Sequence, residues 1–268
     1  MLRSLKGKST TMNAENSRET VCVLSSQIDV LTWDDALNRL SFWATQGESR
    51  YACMCNVHVV VSAHADPDLR AAVNGADMAA PDGMPVSIWL RTNGYPSQRR
   101  IAGPDLMWKH LERTAREDQP VYFYGSTDET VRQLIERCHA AFPTLRVAGS
   151  YSPPFRALTP FEEKEAVTRI NASGARVVYV GLGCPKQELW MARQRGQVRA
   201  VMIGVGAAFD FHAGTLRRAP RWMQQIGLEW LHRLLSEPAR LWQRYLFGNT
   251  MFLAHLALRL LSSRNERS

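Results

Sequence analysis

The sequence predicts an α/β fold: a mainly parallel sheet flanked by helices, followed by a helical, basic C-terminal appendage. Three observations predict it. Short apolar, β-branched runs alternate with segments of helical period, the pattern of βα units around a parallel sheet. Four of those runs end in a polar or glycine-rich corner: Cys55-Asn56, Pro81-Asp82-Gly83, Gly181-Leu182-Gly183 and Gly204-Val205-Gly206. After Gly214 the alternation stops and helical periodicity continues alone, with Arg and Trp interleaved.

The elements follow in order. Residues 1–20 (MLRSLKGKSTTMNAENSRET) are polar and read as a disordered leader, because no apolar run in them could serve as a signal-peptide core. Val21 to Leu24 is the first predicted strand, and Thr32-Trp33-Asp34-Asp35 opens a helix in the manner of a capping box. Tyr51 to Cys55 reads as a strand running into Asn56, with a helix from about Val57. Asp66-Pro67-Asp68 has the D-x-D form that can hold a metal–diphosphate. It reads better as a helix start, with Asp66 as N-cap and Pro67 at the first position. Met78 to Ala80 is a short strand and Val121 to Tyr124 a buried one, backed by a helix over Thr127 to Phe142. Leu145 to Ala148 is the next strand. Thr159-Pro160-Phe161-Glu162 starts a helix to about Ser173, and Arg176 to Val180 is a strand followed by a helix at Pro185. Ala200 to Ile203 is the last strand, and Pro238 breaks the helical tail.

Composition sets bounds on function. A chain of 268 residues, 45% hydrophobic and 22% charged, has the makings of one substantial core. No stretch reaches roughly 18 uncharged apolar residues, so a spanning helix is not expected. The five cysteines (Cys22, Cys53, Cys55, Cys138, Cys184) are scattered without a C-x-x-C pair, which argues against a zinc site or disulfide framework and for reduced thiols. From Ala213 to Ser268 there are nine Arg, three Glu, no Lys and no Asp, so six of the eight net positive charges sit in the last fifth of the chain. That segment wants an anionic partner.

Ligands of open parallel sheets bind beyond the carboxyl ends of the strands. The four corners are therefore the candidate site, with Gly183 and Gly206 letting a phosphate or sugar approach the main chain. Gly181-Leu182-Gly183-Cys184-Pro185-Lys186 fails the G-x-G-x-x-G rule at Lys186, which disfavours a dinucleotide dehydrogenase. Lys186 is placed to pair with a diphosphate, and Gln187 and Glu188 to address hydroxyls. Asp82, between Pro81 and Gly83, is a candidate general base, with an Asx-turn as the alternative. His58 and His64 share a helix side without a third ligand and read as packing or surface residues. Trp222, Trp230 and Trp242 suit helix packing and also a membrane interface.

Pro81-Asp82-Gly83, Arg100-Ile101-Ala102-Gly103-Pro104-Asp105-Leu106 and Gly181 to Glu188 resemble the WecG/TagA/CpsF glycosyltransferase family. So do Gly204 to Asp210, Gly214, Arg218-Ala219-Pro220, Gly227 to Leu234, Glu237-Pro238 and Arg240. The resemblance runs in order from about Val21 to Arg244. It implies a Rossmann-like catalytic core over 21–214 and a membrane-associating helical appendage over 215–268 that helps to complete the active site. It implies transfer of a sugar such as N-acetylmannosamine, its uronic acid or glucose from a UDP-sugar to a polyprenyl-diphosphate-linked saccharide, with inversion. It implies a setting in bacterial cell-surface or exopolysaccharide synthesis, in the cytoplasm against the anionic inner face of the membrane.

Carried over position by position, Asp82 matches the base and Asn56 a polar residue beside it. Arg100, Gln187 and Asp210 match pocket positions, Gly103 lies in a shared motif, and Arg233 and Arg240 match arginines that approach the diphosphate. The chain departs from the family at Met54-Cys55, where threonine is frequent, and at Gln243, where an arginine would fall. No metal or other cofactor is expected, and the oligomeric state is left open. Two other classes compete. A nucleic-acid binder is motivated by the isoelectric point near 9.5, but the basic charge is confined to the tail. A catalytically silent membrane module would need neither Asp82, Asn56 nor Gln187.

Overall fold

The computed structural model describes the backbone of residues 18–265, and the side chains of these except at 240, 243–247 and 258–265. The expected leader thus lies, up to residue 17, outside the described residues. Among the described residues six strands form one parallel sheet: β3 (Arg50–Cys55), β4 (Met78–Pro81), β5 (Val121–Gly125), β6 (Val147–Tyr151), β7 (Val177–Gly181) and β8 (Val201–Gly204). Their order is β4-β3-β8-β7-β5-β6. The four strands that carry the predicted corners are therefore neighbours, and because every pairing is parallel their carboxyl ends share one edge. The central strands read as continuous apolar runs, such as Val177-Val178-Tyr179-Val180, because helices cover both faces.

One face is packed by α2 (Val57–Ala65), α3 (Pro67–Asn74), α4 (Met84–Thr92), α7 (Pro160–Ala172) and α8 (Lys186–Gln194). The other is packed by α1 (Trp33–Gln46), α5 (Gly103–Arg116), α6 (Asp128–Ala141) and α9 (Ala208–Ala213). Alternation along β3 divides the two cores: Tyr51, Cys53 and Cys55 enter the first, Ala52 and Met54 the second. After Gly214 come α10 (Arg221–Gln225), α11 (Glu229–Ser236) and α12 (Pro238–Asn265). Phe252 of α12 is fully buried in the first core, 5.6 Å from the Trp89 ring.

Several local expectations are met by visible chemistry. Thr32 and Asp35 form a capping box on α1, as do Thr159 and Glu162 on α7. Asp66 caps α3 by accepting the Asp68 and Leu69 N–H groups, so the first carboxylate of the D-x-D motif is occupied at a helix start and Asp68 lies in its first turn. Three expectations need correction. The run at Val21 does not join the main sheet. β1 (Thr20–Val23) pairs antiparallel with β2 (Ser26–Asp29) through a turn in which Leu24 has φ 57°. The second strand, Ser-Gln-Ile-Asp, is too polar to announce itself, yet Asp29 is buried, pairs with Arg18 and accepts the Ala79 N–H of edge strand β4. The strand expected at Leu145–Ala148 runs from Val147 to Tyr151. Helices α4 and α5 were not expected at all, because their N-cap positions, Gly83 and Ala102, carry no capping side chain.

Candidate active site

A cavity of about 1110 Å³ opens at the shared carboxyl edge. Its floor is made by the four corners, including Asn56, Asp82, Gly183 and Gly206, and its roof by α11 and α12 through residues such as Glu229, Arg233 and Trp242.

Asp82 is held from several sides. Its backbone N–H donates to Cys55 O at 3.0 Å, continuing the β3–β4 ladder to the corner. Its Oδ1 accepts the Gly103 N–H at 3.0 Å, one of the free N–H groups at the start of α5. Its Oδ2 accepts only a long 3.4 Å bond from Asn56 Nδ2. The Asn56 amide is oriented by its other task, since its Oδ1 accepts the Val59 N–H and caps α2. Burial pushes the Asp82 carboxyl above the ordinary carboxylate range, with the Glu229 charge adding to it. Arg100, the Gly103 N–H and Asn56 act in the opposite sense. The net result is a carboxylate with one committed oxygen and one nearly free oxygen, biased toward accepting a proton.

Arg100 does not reach into the cavity as a free cation. Its Nε–H donates to the Asp82 backbone carbonyl. Its Nη2 lies 2.6 Å from Glu229 Oε2 and 3.8 Å from Asp82 Oδ1. Glu229 in turn accepts from Arg218 Nε at 3.2 Å, and Arg218 grips Asp105 with bonds of 2.5 and 2.9 Å. This chain of alternating charge ties the start of α11 to the starts of α4 and α5. Arg233, one turn beyond Glu229, lines the cavity with its guanidinium 5.5 Å over the Phe211 ring and Nη2 3.5 Å from Glu237.

Of the expected site residues, the structure brings Asn56, Asp82, Arg100, Gly183, Gln187, Gly206, Asp210 and Arg233 to the cavity wall. Gln187 is held in place by accepting the Gly183 N–H at 3.3 Å and donating to Glu188 Oε1 at 2.9 Å. Three residues are placed differently. Lys186 is exposed to solvent and Glu188 is fully buried behind Gln187, and neither lines the cavity. Successive residues at the start of α8 point about 100° apart, so only the middle one faces in. Gly103 contacts Asp82 rather than the cavity. The Arg240 side chain lies outside the described residues. His58 lines the cavity with Nδ1 3.4 Å from Ser62 Oγ, while His64 sits 3.3 Å from Ser25 Oγ, away from the cavity. Among the described residues no cluster of three or more His, Cys, Asp or Glu is placed to hold a metal ion.

Sequence reasoning missed Glu229, Arg218 and Asp105 as parts of the site. A signal existed, because Glu229 is one of three acids in a segment carrying nine arginines.

The sequence matches the family described as glycosyl transferase WecG/TagA/CpsF over residues 21–266. A relative from Bacillus spizizenii, an N-acetylglucosaminyldiphosphoundecaprenol N-acetyl-beta-D-mannosaminyltransferase, is 34% identical over 202 residues, covering 75% of this chain and 76% of the relative.

Proposed function

Because this chain belongs to the WecG/TagA/CpsF family and is a glycosyltransferase, we propose that it moves a sugar from a UDP-sugar to a saccharide carried on polyprenyl diphosphate, inverting the anomeric carbon. The observation that carries this reading is the state of Asp82: largely shielded at the cavity floor, with its side chain 14% exposed, one oxygen fixed and the other nearly free.

The acceptor hydroxyl donates to Asp82 Oδ2 and is oriented by the Asn56 amide. As its oxygen bonds to the anomeric carbon, its proton passes to Oδ2 and the bond to the UDP oxygen breaks. Charge grows on the departing diphosphate, where Arg233 and Arg240 stabilise it. The glycines at Gly183 and Gly206 let the donor lie close to the main chain, with Gln187 and Asp210 at its side. The relative's acceptor, an N-acetylglucosaminyl diphospholipid, and its N-acetylmannosaminyl donor group are the first pair to test.

The test incubates the protein with UDP-N-acetylmannosamine, its uronic acid, UDP-glucose and UDP-glucuronate, each with a polyprenyl-diphosphate-linked N-acetylglucosamine. One donor should release UDP only when acceptor is present, and at the same rate in a chelator, since Asp66, the first carboxylate of the D-x-D motif, is committed to capping α3. Consumption of none of them would sink the reading.

The reading also places the cavity roof against the anionic inner face of the membrane. No helix among the described residues is long and apolar enough to cross a membrane. The segment from α10 to α12 instead exposes Trp222 (59%), Ile226 (61%) and Leu235 (73%) among arginines, a composition suited to an interface. Trp222→Ser combined with Ile226→Ser should lower co-sedimentation with anionic vesicles at least several-fold. Equal binding by this variant and the parent would contradict the placement.

A further inference from the structure

We propose that Glu229 is a positioning residue for sugar transfer: by holding the outer nitrogen of Arg100 off the Asp82 carboxylate, it keeps that carboxylate free to take the acceptor's proton. The proposal rests on Asp82 being the base.

The geometry sets up a competition for one guanidinium. Arg100 is pinned by its Nε–H to the Asp82 carbonyl, so its Nη2 must sit near the Asp82 side chain whatever else is present. Two carboxylates are within its reach, and it takes the one on α11, at 2.6 Å, over the one on its own side of the cavity, at 3.8 Å. Both are shielded, with side chains only 14% (Asp82) and 12% (Glu229) exposed, so water does little to weaken either attraction. Without Glu229, Asp82 is the remaining carboxylate within ion-pair reach of Nη2 among the described residues, because Asp105, which also feels the Arg100 charge, is held by Arg218. A short Arg100–Asp82 pair would then lock the ionised carboxylate and make it a poor base.

Glu229 is itself fixed from behind. Arg218 donates to its other oxygen and is anchored on Asp105 at the start of α5. The acid therefore approaches Asp82 only when α11 is seated on the core, which makes the base's readiness depend on that seating. The charged and titratable groups around Asp82 are Arg100 and Glu229 directly and Cys55 beneath it. His58, Asp210 and Arg233 stand on the surrounding cavity wall.

The test is the pH dependence of kcat/KM for the wild type, Glu229→Asp and Glu229→Gln, with thermal melts on the same preparations. Removing the charge deletes a negative neighbour of Asp82 and releases Arg100 toward it, and both effects lower the pH at which Asp82 loses its proton. Glu229→Gln should move the acid limb toward lower pH by about 0.5–1 unit and lower the plateau about tenfold, as expected of a weaker base. Glu229→Asp, which keeps the charge but draws it back by one methylene, should shift the same way by less and serves alone if the glutamine variant does not fold. Acid limbs that coincide with the wild type in both variants overturn the proposal, whatever happens to the plateau, because a purely structural tie would lower rate or melting temperature without moving the limb. A wild type with no acid limb would instead remove the base assignment of Asp82.

Discussion

Replacing Asp82 by Asn should lower sugar transfer by about 10²–10⁴-fold while leaving the melting temperature at neutral pH unchanged or higher. The rate loss follows because an amide cannot take the acceptor's proton. The stability effect follows from the direction of the Asp82 shift. Burial, with Glu229 adding to it, raises the folded-state pKa above that of the unfolded chain. The protonated carboxyl therefore contributes stability that is fully present below the unfolded pKa and is lost as pH rises through the folded one. At neutral pH the wild type carries an ionised, desolvated carboxylate that Asn does not have. Asn retains an oxygen for the Gly103 N–H, so the corner keeps its shape. The same shift has the opposite sign for rate. Activity requires the ionised form, so kcat/KM should fall on acidification at a pH above the ordinary aspartate value of about 3.9. Transfer near the wild-type rate by Asp82→Asn, with a normal melt, would remove the base from the mechanism.

Replacing Arg233 by Met should cost about 10²–10³ in kcat with a much smaller change in KM for the donor. Glu229 and Arg233 are four residues apart on α11, so both face the cavity from one side of the helix. The Arg233 guanidinium is mostly shielded, at 16% exposure, and leans over Phe211 with Glu237 as a distant partner. Negative charge on the leaving diphosphate increases as the glycosidic bond breaks, so a cation there is worth more in the transition state than in the bound donor. Met fills similar volume without charge. Arg233→Lys should recover part of the rate, since it keeps the charge but not the planar fork. A change confined to KM would instead place Arg233 against the ground-state donor.

What the sequence discloses and what it hides follow physical lines. The parallel sheet was legible because strands covered on both faces become uninterrupted apolar runs, and the site's location because four such runs end in glycine or polar corners. The β1–β2 hairpin was hidden because Ser26, Gln27 and Asp29 make its second strand look like a loop, although Asp29 is buried by its pairing with Arg18. Helices α4 and α5 were hidden because neither starts with a capping side chain, although each has a proline in its first turn. The side chain nearest their starts, Asp82, offers its carboxylate to Gly103 from the end of a strand. Lys186, Gln187 and Glu188 all read in sequence as ligand contacts, Lys186 for a diphosphate and the other two for hydroxyls, and only helical phase separates the one that faces the cavity from its neighbours. Glu229 was hidden by distance, since its partner Arg100 is 129 positions away.

A single displacement with Asp82 as base makes one demand that no binding or stability measurement can imitate. The product of the transfer assay should be isolated on its lipid and the new glycosidic linkage assigned from its one-bond carbon–proton coupling at the anomeric centre. An α-linked UDP-sugar should yield a β-linked saccharide, with one UDP released per linkage formed. Retention of the α configuration would contradict direct attack by the acceptor and, with it, the role given to Asp82.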